Sequence, residues 1–155
     1  MSAPHLPARY QAATGLATAQ GDSTWSYTRR PMAQTLASAV HHELVIKKSR
    51  FITLIAHAPT VEAAKAWIGE VKRQHPTARH HCWAFVAGAP QDSQVYGFSD
   101  DGEPSGTAGK PMLAQLMGAG IGEIAAVVVR YYGGVLLGTG GLVKAYGGGV
   151  GAALK

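Results

Sequence analysis

One cysteine, Cys82, is all this 155-residue chain contains, so no internal disulfide can staple it and usage of this kind fits a reducing compartment. Charge is scarce at 15% of residues, and acid is scarcer than base: nine Asp and Glu stand against fourteen Lys and Arg. No apolar run approaches the roughly 18 residues that a bilayer span needs. The first residues carry neither a basic start followed by an apolar stretch nor a cleavage-type ending, so no secretory signal is read there. The expectation is a cytoplasmic protein without a membrane anchor. What the chain does have is 46% hydrophobic residues, enough at this length for one domain with a proper core and too little for two full ones.

The formal charge of +5 is spread along the chain, with three basic residues and one acidic in 1–42 and eleven basic and eight acidic in 43–155. Such a balance favours weak attraction to polyanions such as RNA or the ribosome. Residues 1–31 follow no sustained period of 3.6 or 2, and pattern becomes ordered only near His42. Residues 1–40 therefore read as an irregular or disordered extension, or as the product of a start site upstream of the native one, and 41–155 as the folded domain.

Residues 43–58, rich in β-branched side chains with a polar break at 47–50, read as two strands joined by a tight turn. Thr60 is a candidate N-cap for a helix over 61–74, where Ala63, Ala64, Trp67, Ile68 and Val71 recur at helical spacing before Pro76 stops it. Strands are expected at 80–87 and 94–98, and a short helix at 110–117 with Pro111 in its first turn. The nearly unbroken apolar run 124–132 suits a central strand covered on both faces or by a helix layer. A glycine-rich helix is expected over 140–154, although each glycine lowers helix propensity by about 1 kcal/mol relative to alanine. Interleaved helices and strands make an α/β or α+β sandwich.

Sixteen of the twenty glycines fall between Gly97 and Gly151, which concentrates turns and close backbone approaches in one part of the fold. Gly106-Thr107-Ala108-Gly109-Lys110-Pro111 invites a phosphate-loop reading, but Pro104 stands where that loop needs its first glycine and Pro111 where it needs Ser or Thr. The dinucleotide fingerprint fails as well, since Glu123 and Val143 occupy its third glycine position. The amides before the 110–117 helix, with its dipole and Lys110, still suit a phosphate or sulfate.

Asp100, Asp101 and Glu103 could serve a hard cation or acid–base chemistry, or simply form a solvated turn that caps the next element of the chain. His80-His81-Cys82 hints at a metal, yet neighbours on a strand point to opposite faces; only His80 and Cys82 share one, and Cys82 reads as a buried structural thiol. No metal or cofactor is expected. The basic set Lys47, Lys48, Arg50, Arg79, Lys110, Arg130 and Lys144 lies close in sequence to Tyr131, Tyr132 and Tyr146, a combination suited to RNA backbone and base stacking. Arg130, inside an apolar strand, must emerge at an exposed face or pair with a carboxylate.

Five ordered blocks carry a resemblance: Lys47-Lys48-Ser49-Arg50-Phe51, Ala78-Arg79-His80-His81-Cys82-Trp83-Ala84, the turn 99–111, Val128-Val129-Arg130-Tyr131-Tyr132-Gly133-Gly134, and 138–149. Together they resemble the IMPACT family, most closely its bacterial YigZ-type members, over residues 46–154. The resemblance implies an α+β fold like the second domain of ribosomal protein S5, a mixed β-sheet with helices packed on one face, and a C-terminal ferredoxin-like domain that this chain lacks. It favours a non-enzymatic binding or regulatory domain linked to translation, whose partner is RNA, the ribosome or a small phosphate-bearing ligand. The residues expected to bind are Gly106, Gly109, Lys110, Arg130, Tyr131, Gly140 and Lys144. The alternatives are an enzyme, a hydrolase or phosphoryl-transfer catalyst built on the 100–110 turn with Asp100, Asp101, Glu103, His80 or His81, and a protein-interaction module.

Overall fold

A computed structural model describes residues 34–35, 39–88 and 95–155. The elements run β1 (Gln34–Thr35), β2 (Val40–Ile46), β3 (Ser49–His57), α1 (Val61–Gln74), β4 (His80–Val86), β5 (Tyr96–Ser99), α2 (Gly109–Gly118), β6 (Ile121–Gly122), β7 (Ile124–Tyr131) and α3 (Gly138–Ala153). The expected extension over 1–31 and the start of the 94–98 strand lie outside the described residues.

α1 has the predicted bounds. Thr60 stays extended and its hydroxyl accepts the Ala63 amide at 3.0 Å, satisfying one of the orphan donors of the first turn. The helix then buries Ala64, Trp67, Ile68 and Val71 along one stripe.

β2 and β3 form the expected hairpin, with Ile46 opposite Ser49 and only Lys47 and Lys48 between them. Both lysines adopt left-handed backbone, at φ 47° and 69°, as a two-residue hairpin turn of this hand requires. That conformation costs an L-residue roughly 1–2 kcal/mol, so the surroundings must hold it. Gly133 does so by close approach: a Cβ there would stand 2.0 Å from the Lys48 carbonyl oxygen.

The strands β2-β3-β7-β4-β5 form one sheet, antiparallel at every pairing, and the only parallel pairing among the described residues is the short β1–β6 contact. The α+β class is as expected. The arrangement of the layers differs from what the resemblance implied: helices cover both faces, and the five-stranded sheet is not mixed. α1 packs against Ile52, Leu54, Ala125, Val127 and Val129, while α2 and α3 pack against Phe51, Ile55, Cys82, Ala84 and Val128 on the other side. The reason lies in β3 and β7, which are apolar on alternate positions of both faces and buried almost throughout, so neither face tolerates water. Among the described residues no helix is long and apolar enough to cross a membrane.

Candidate functional site

The candidate residues gather at the end of the sheet where β3 and β4 begin and β7 finishes. Alternation along β7 sends Arg130 toward the α2–α3 side, among Phe51, Cys82 and Tyr146, and Tyr131 toward the α1 side. Arg130 is only 4% exposed and does pair with a carboxylate: its Nη1 donates to Glu103 Oε2 at 2.8 Å. Its Nε and Nη2 donate to Ser49 Oγ at 3.3 and 3.2 Å, and the same hydroxyl accepts the Gly133 amide at 3.2 Å. The guanidinium also stands over the rings of Phe51 and Tyr132, at 5.4 and 5.3 Å.

Glu103 is held from a second side by the hydroxyl of Tyr146, and His80 Nε2 lies 3.6 Å from its other oxygen. Burial first, then the neighbouring Cys82 and Glu103, push the Tyr146 hydroxyl far above its usual pKa, so it remains a donor. The Cys82 thiol is likewise pushed up, chiefly by burial, and donates to the Asp100 carbonyl at 3.1 Å. It is the buried structural cysteine expected, far from thiolate chemistry.

The three carboxylates of the turn face three different tasks. Asp100 accepts the amides of Ala108 and Gly109 on Oδ1, at 3.1 and 2.8 Å, and that of Gly106 on Oδ2, at 2.9 Å. The anion place read from Gly106 and Gly109 is therefore taken by the chain's own carboxylate, seated on the positive end of α2. Gly109 also lets the helix start lie on β5, since a Cβ there would come within 2.8 Å of the Ser99 backbone. Asp101 braces β4, its Oδ2 accepting the His81 amide and its carbonyl bonding His80 Nδ1, both at 2.7 Å. Among the described residues, no group of three His, Cys, Asp or Glu converges as metal ligands. His81 points to the opposite face from His80 and Cys82, where its Nε2 meets the His75 carbonyl at 2.7 Å.

The cations expected to bind, Lys110, Arg130 and Lys144, do not share either of two cavities at this site. Arg130 borders a cavity of about 240 Å³ between the 103–104 turn and the start of α3. Lys144 borders a wider groove of about 450 Å³ between α2 and α3. Lys110 is exposed and lines neither, and Gly140 is exposed in the first turn of α3. Tyr131 is half-buried, its hydroxyl 2.5 Å from His75 Nδ1; burial lowers the His75 pKa, most strongly, with help from His81.

A different set converges on the outer rim of the same sheet end. Arg50 stands over the Tyr131 ring at 5.4 Å and Arg79 over the Tyr132 ring at 4.7 Å, beside the Lys47-Lys48 turn. Arg50 also donates to Glu43 at 2.5 Å, and this bond, helped by the arginine's charge and opposed by burial, holds the Glu43 carboxyl below its usual pKa. Ser49 of the buried network lies in the 47–51 block but nothing there assigns it a role, and the cavity-lining Leu136 and Leu137 lie in no block. Tyr146 is visible there only as an aromatic near Lys144.

Fold and site together define an α+β domain whose two layers of helix enclose an antiparallel sheet, pinned at one end by a buried arginine–glutamate pair. Residues 47–154 match the family model described as the Impact N-terminal domain, and the chain belongs to the IMPACT family. It is 76% identical over 110 residues to IMPACT family member YigZ of Escherichia coli K12, covering 71% of this chain and 54% of that protein. It is 66% identical over 118 residues to an IMPACT family member of Haemophilus influenzae, covering 76% and 57%. The chain thus spans little more than half the length of these curated relatives. A crystal structure described as that of a hypothetical protein shares its fold with a TM-score of 0.77 at 70% identity, over 79% of this chain and 59% of that one.

Proposed function

We propose that this domain is a non-enzymatic regulatory module of translation that binds RNA, alone or on the ribosome, through Lys47, Lys48, Arg50, Arg79, Tyr131 and Tyr132. The observation that carries the reading is the pair of arginine-over-tyrosine stacks at one end of the sheet, flanked by a lysine turn. Planar guanidinium groups reach phosphates while neighbouring rings offer surfaces on which unpaired bases stack. The net charge of +5 favours the same class of partner, and a module that works beside the ribosome acts in the cytoplasm.

Support for binding over catalysis comes from how the acid–base candidates are spent. Asp100 and Asp101 hold backbone amides, Glu103 holds Arg130 and Tyr146, and His80 and His81 bond backbone carbonyls. Each of these groups is thus engaged by a structural partner, which favours a positioning role over proton transfer.

Filter binding of single-stranded RNA at several salt concentrations tests the reading. A phosphate-contact surface gives log affinity that falls linearly with log salt, and Arg79→Ala should flatten that slope by roughly one unit if its guanidinium meets a phosphate. Absence of binding at low salt ends the proposal.

A further inference from the structure

The buried ion pair also floors the cavity of about 240 Å³, whose walls are Pro104, Leu136, Leu137 and Leu142. Arg130 has five N–H groups, of which three find acceptors, on Ser49 and Glu103. Two N–H groups of a residue 4% exposed are thus without an acceptor among the described residues, and the residue borders the cavity. Buried donors are normally satisfied, so an acceptor belongs there. The first turn of α3 supplies Gly138 and Thr139 to the rim, and no side chain caps its amides. Its dipole adds positive potential to the same space. At the lip, Leu136 is 79% exposed, a cost that a covering apolar group would remove.

Charge narrows the occupant. Glu103 already stands against Arg130 and repels any anion in the cavity, a phosphate dianion more strongly than a single carboxylate, which the spare N–H groups and the helix amides can hold. The apolar walls call for an alkyl body. We infer that this cavity binds a small branched aliphatic monocarboxylate, its carboxylate on Arg130 and the first turn of α3 and its alkyl group against Leu136, Leu137 and Leu142. The cavity adjoins the arginine–tyrosine stacks through Tyr132, whose ring meets both Arg79 and Arg130, but Tyr132 does not line it, and the titration below reads small-molecule binding without RNA.

The full chain, labelled with ¹⁵N, is titrated with isovalerate, 4-methyl-2-oxopentanoate and leucine, each to about 10 mM, a range that reaches weak affinities. The expected result is a saturable shift of the Gly138, Thr139 and Leu142 amides with at least one of them. Preference for leucine assigns the source to amino acids, and preference for either of the others to organic acids. Isovaleramide, which lacks the charge, should bind at least about tenfold more weakly. Leu136→Asp and Thr139→Asp, both at exposed positions, should each raise the dissociation constant about tenfold or more without lowering the thermal midpoint. Failure of all three carboxylates to shift these amides overturns the inference. So does equal binding of isovaleramide, indifference to both aspartates, or a shift with inorganic phosphate alone.

Discussion

Two arginine–glutamate pairs occupy the same end of the sheet, and each arginine stands over a tyrosine. Arg50 and Glu43 meet at 2.5 Å with side chains 44% and 33% exposed, whereas Arg130 and Glu103 meet at 2.8 Å with 5% and 4%. The shorter contact is the weaker one in consequence. Water and salt screen the outer pair, and its partners can re-solvate when it breaks. The inner pair cannot, so its value lies in what its loss would strand.

The sharpest way to break this contrast is Arg130→Met, which keeps the bulk and leaves Glu103 buried without its cation. Urea unfolding should show a loss of about 3–5 kcal/mol, and adding Glu103→Leu should recover most of it, because removing both charges removes the stranded one. A single-variant loss below about 1 kcal/mol, in the range of surface pairs, would equate the two pairs. Next in size is Tyr146→Phe, which deletes the second donor to Glu103; the expected cost is about 1–3 kcal/mol by the same measurement.

The outer pair should barely register. Glu43→Gln is expected to cost about 0–1 kcal/mol, less at high salt. Its pH behaviour is the finer test. The folded Glu43 pKa lies below the unfolded one, so its contribution is present above the unfolded value and is lost as pH falls through the folded value. Wild type and Glu43→Gln should therefore differ near neutral pH and converge in acid below the ordinary glutamate range. Stability curves that stay apart there would place the effect of Glu43 elsewhere.

The contrast also marks what a sequence discloses. The 61–74 helix, its Thr60 cap and the 47–48 turn are legible because propensity, period and breaker residues agree locally. That Arg130 must either emerge at an exposed face or pair with a carboxylate follows from its place in an apolar strand, but not which of the two, nor the partner: Glu103 lies 27 positions away, and Ser49 lies 81 away. The glycine turn misleads for a related reason. Gly106 and Gly109 do present amides around an anion, and the anion is Asp100, already in the chain. Lys110, Arg130 and Lys144 are cations of the right type, yet Arg130 is buried on Glu103 and borders a different cavity from Lys144, a fact of tertiary packing that spacing does not carry. Helices on both faces are foreshadowed by the unbroken apolar run of β7, while the resemblance alone suggests one.

β3 and β7 act as a party wall. Side chains from one strand alternately furnish the two hydrophobic rooms on either side, so neither room can be emptied while the wall stands, and the wall has no support once either is lost. The layers of this domain should therefore come apart in a single event, with the amides shared by β3 and β7 the last to exchange with solvent.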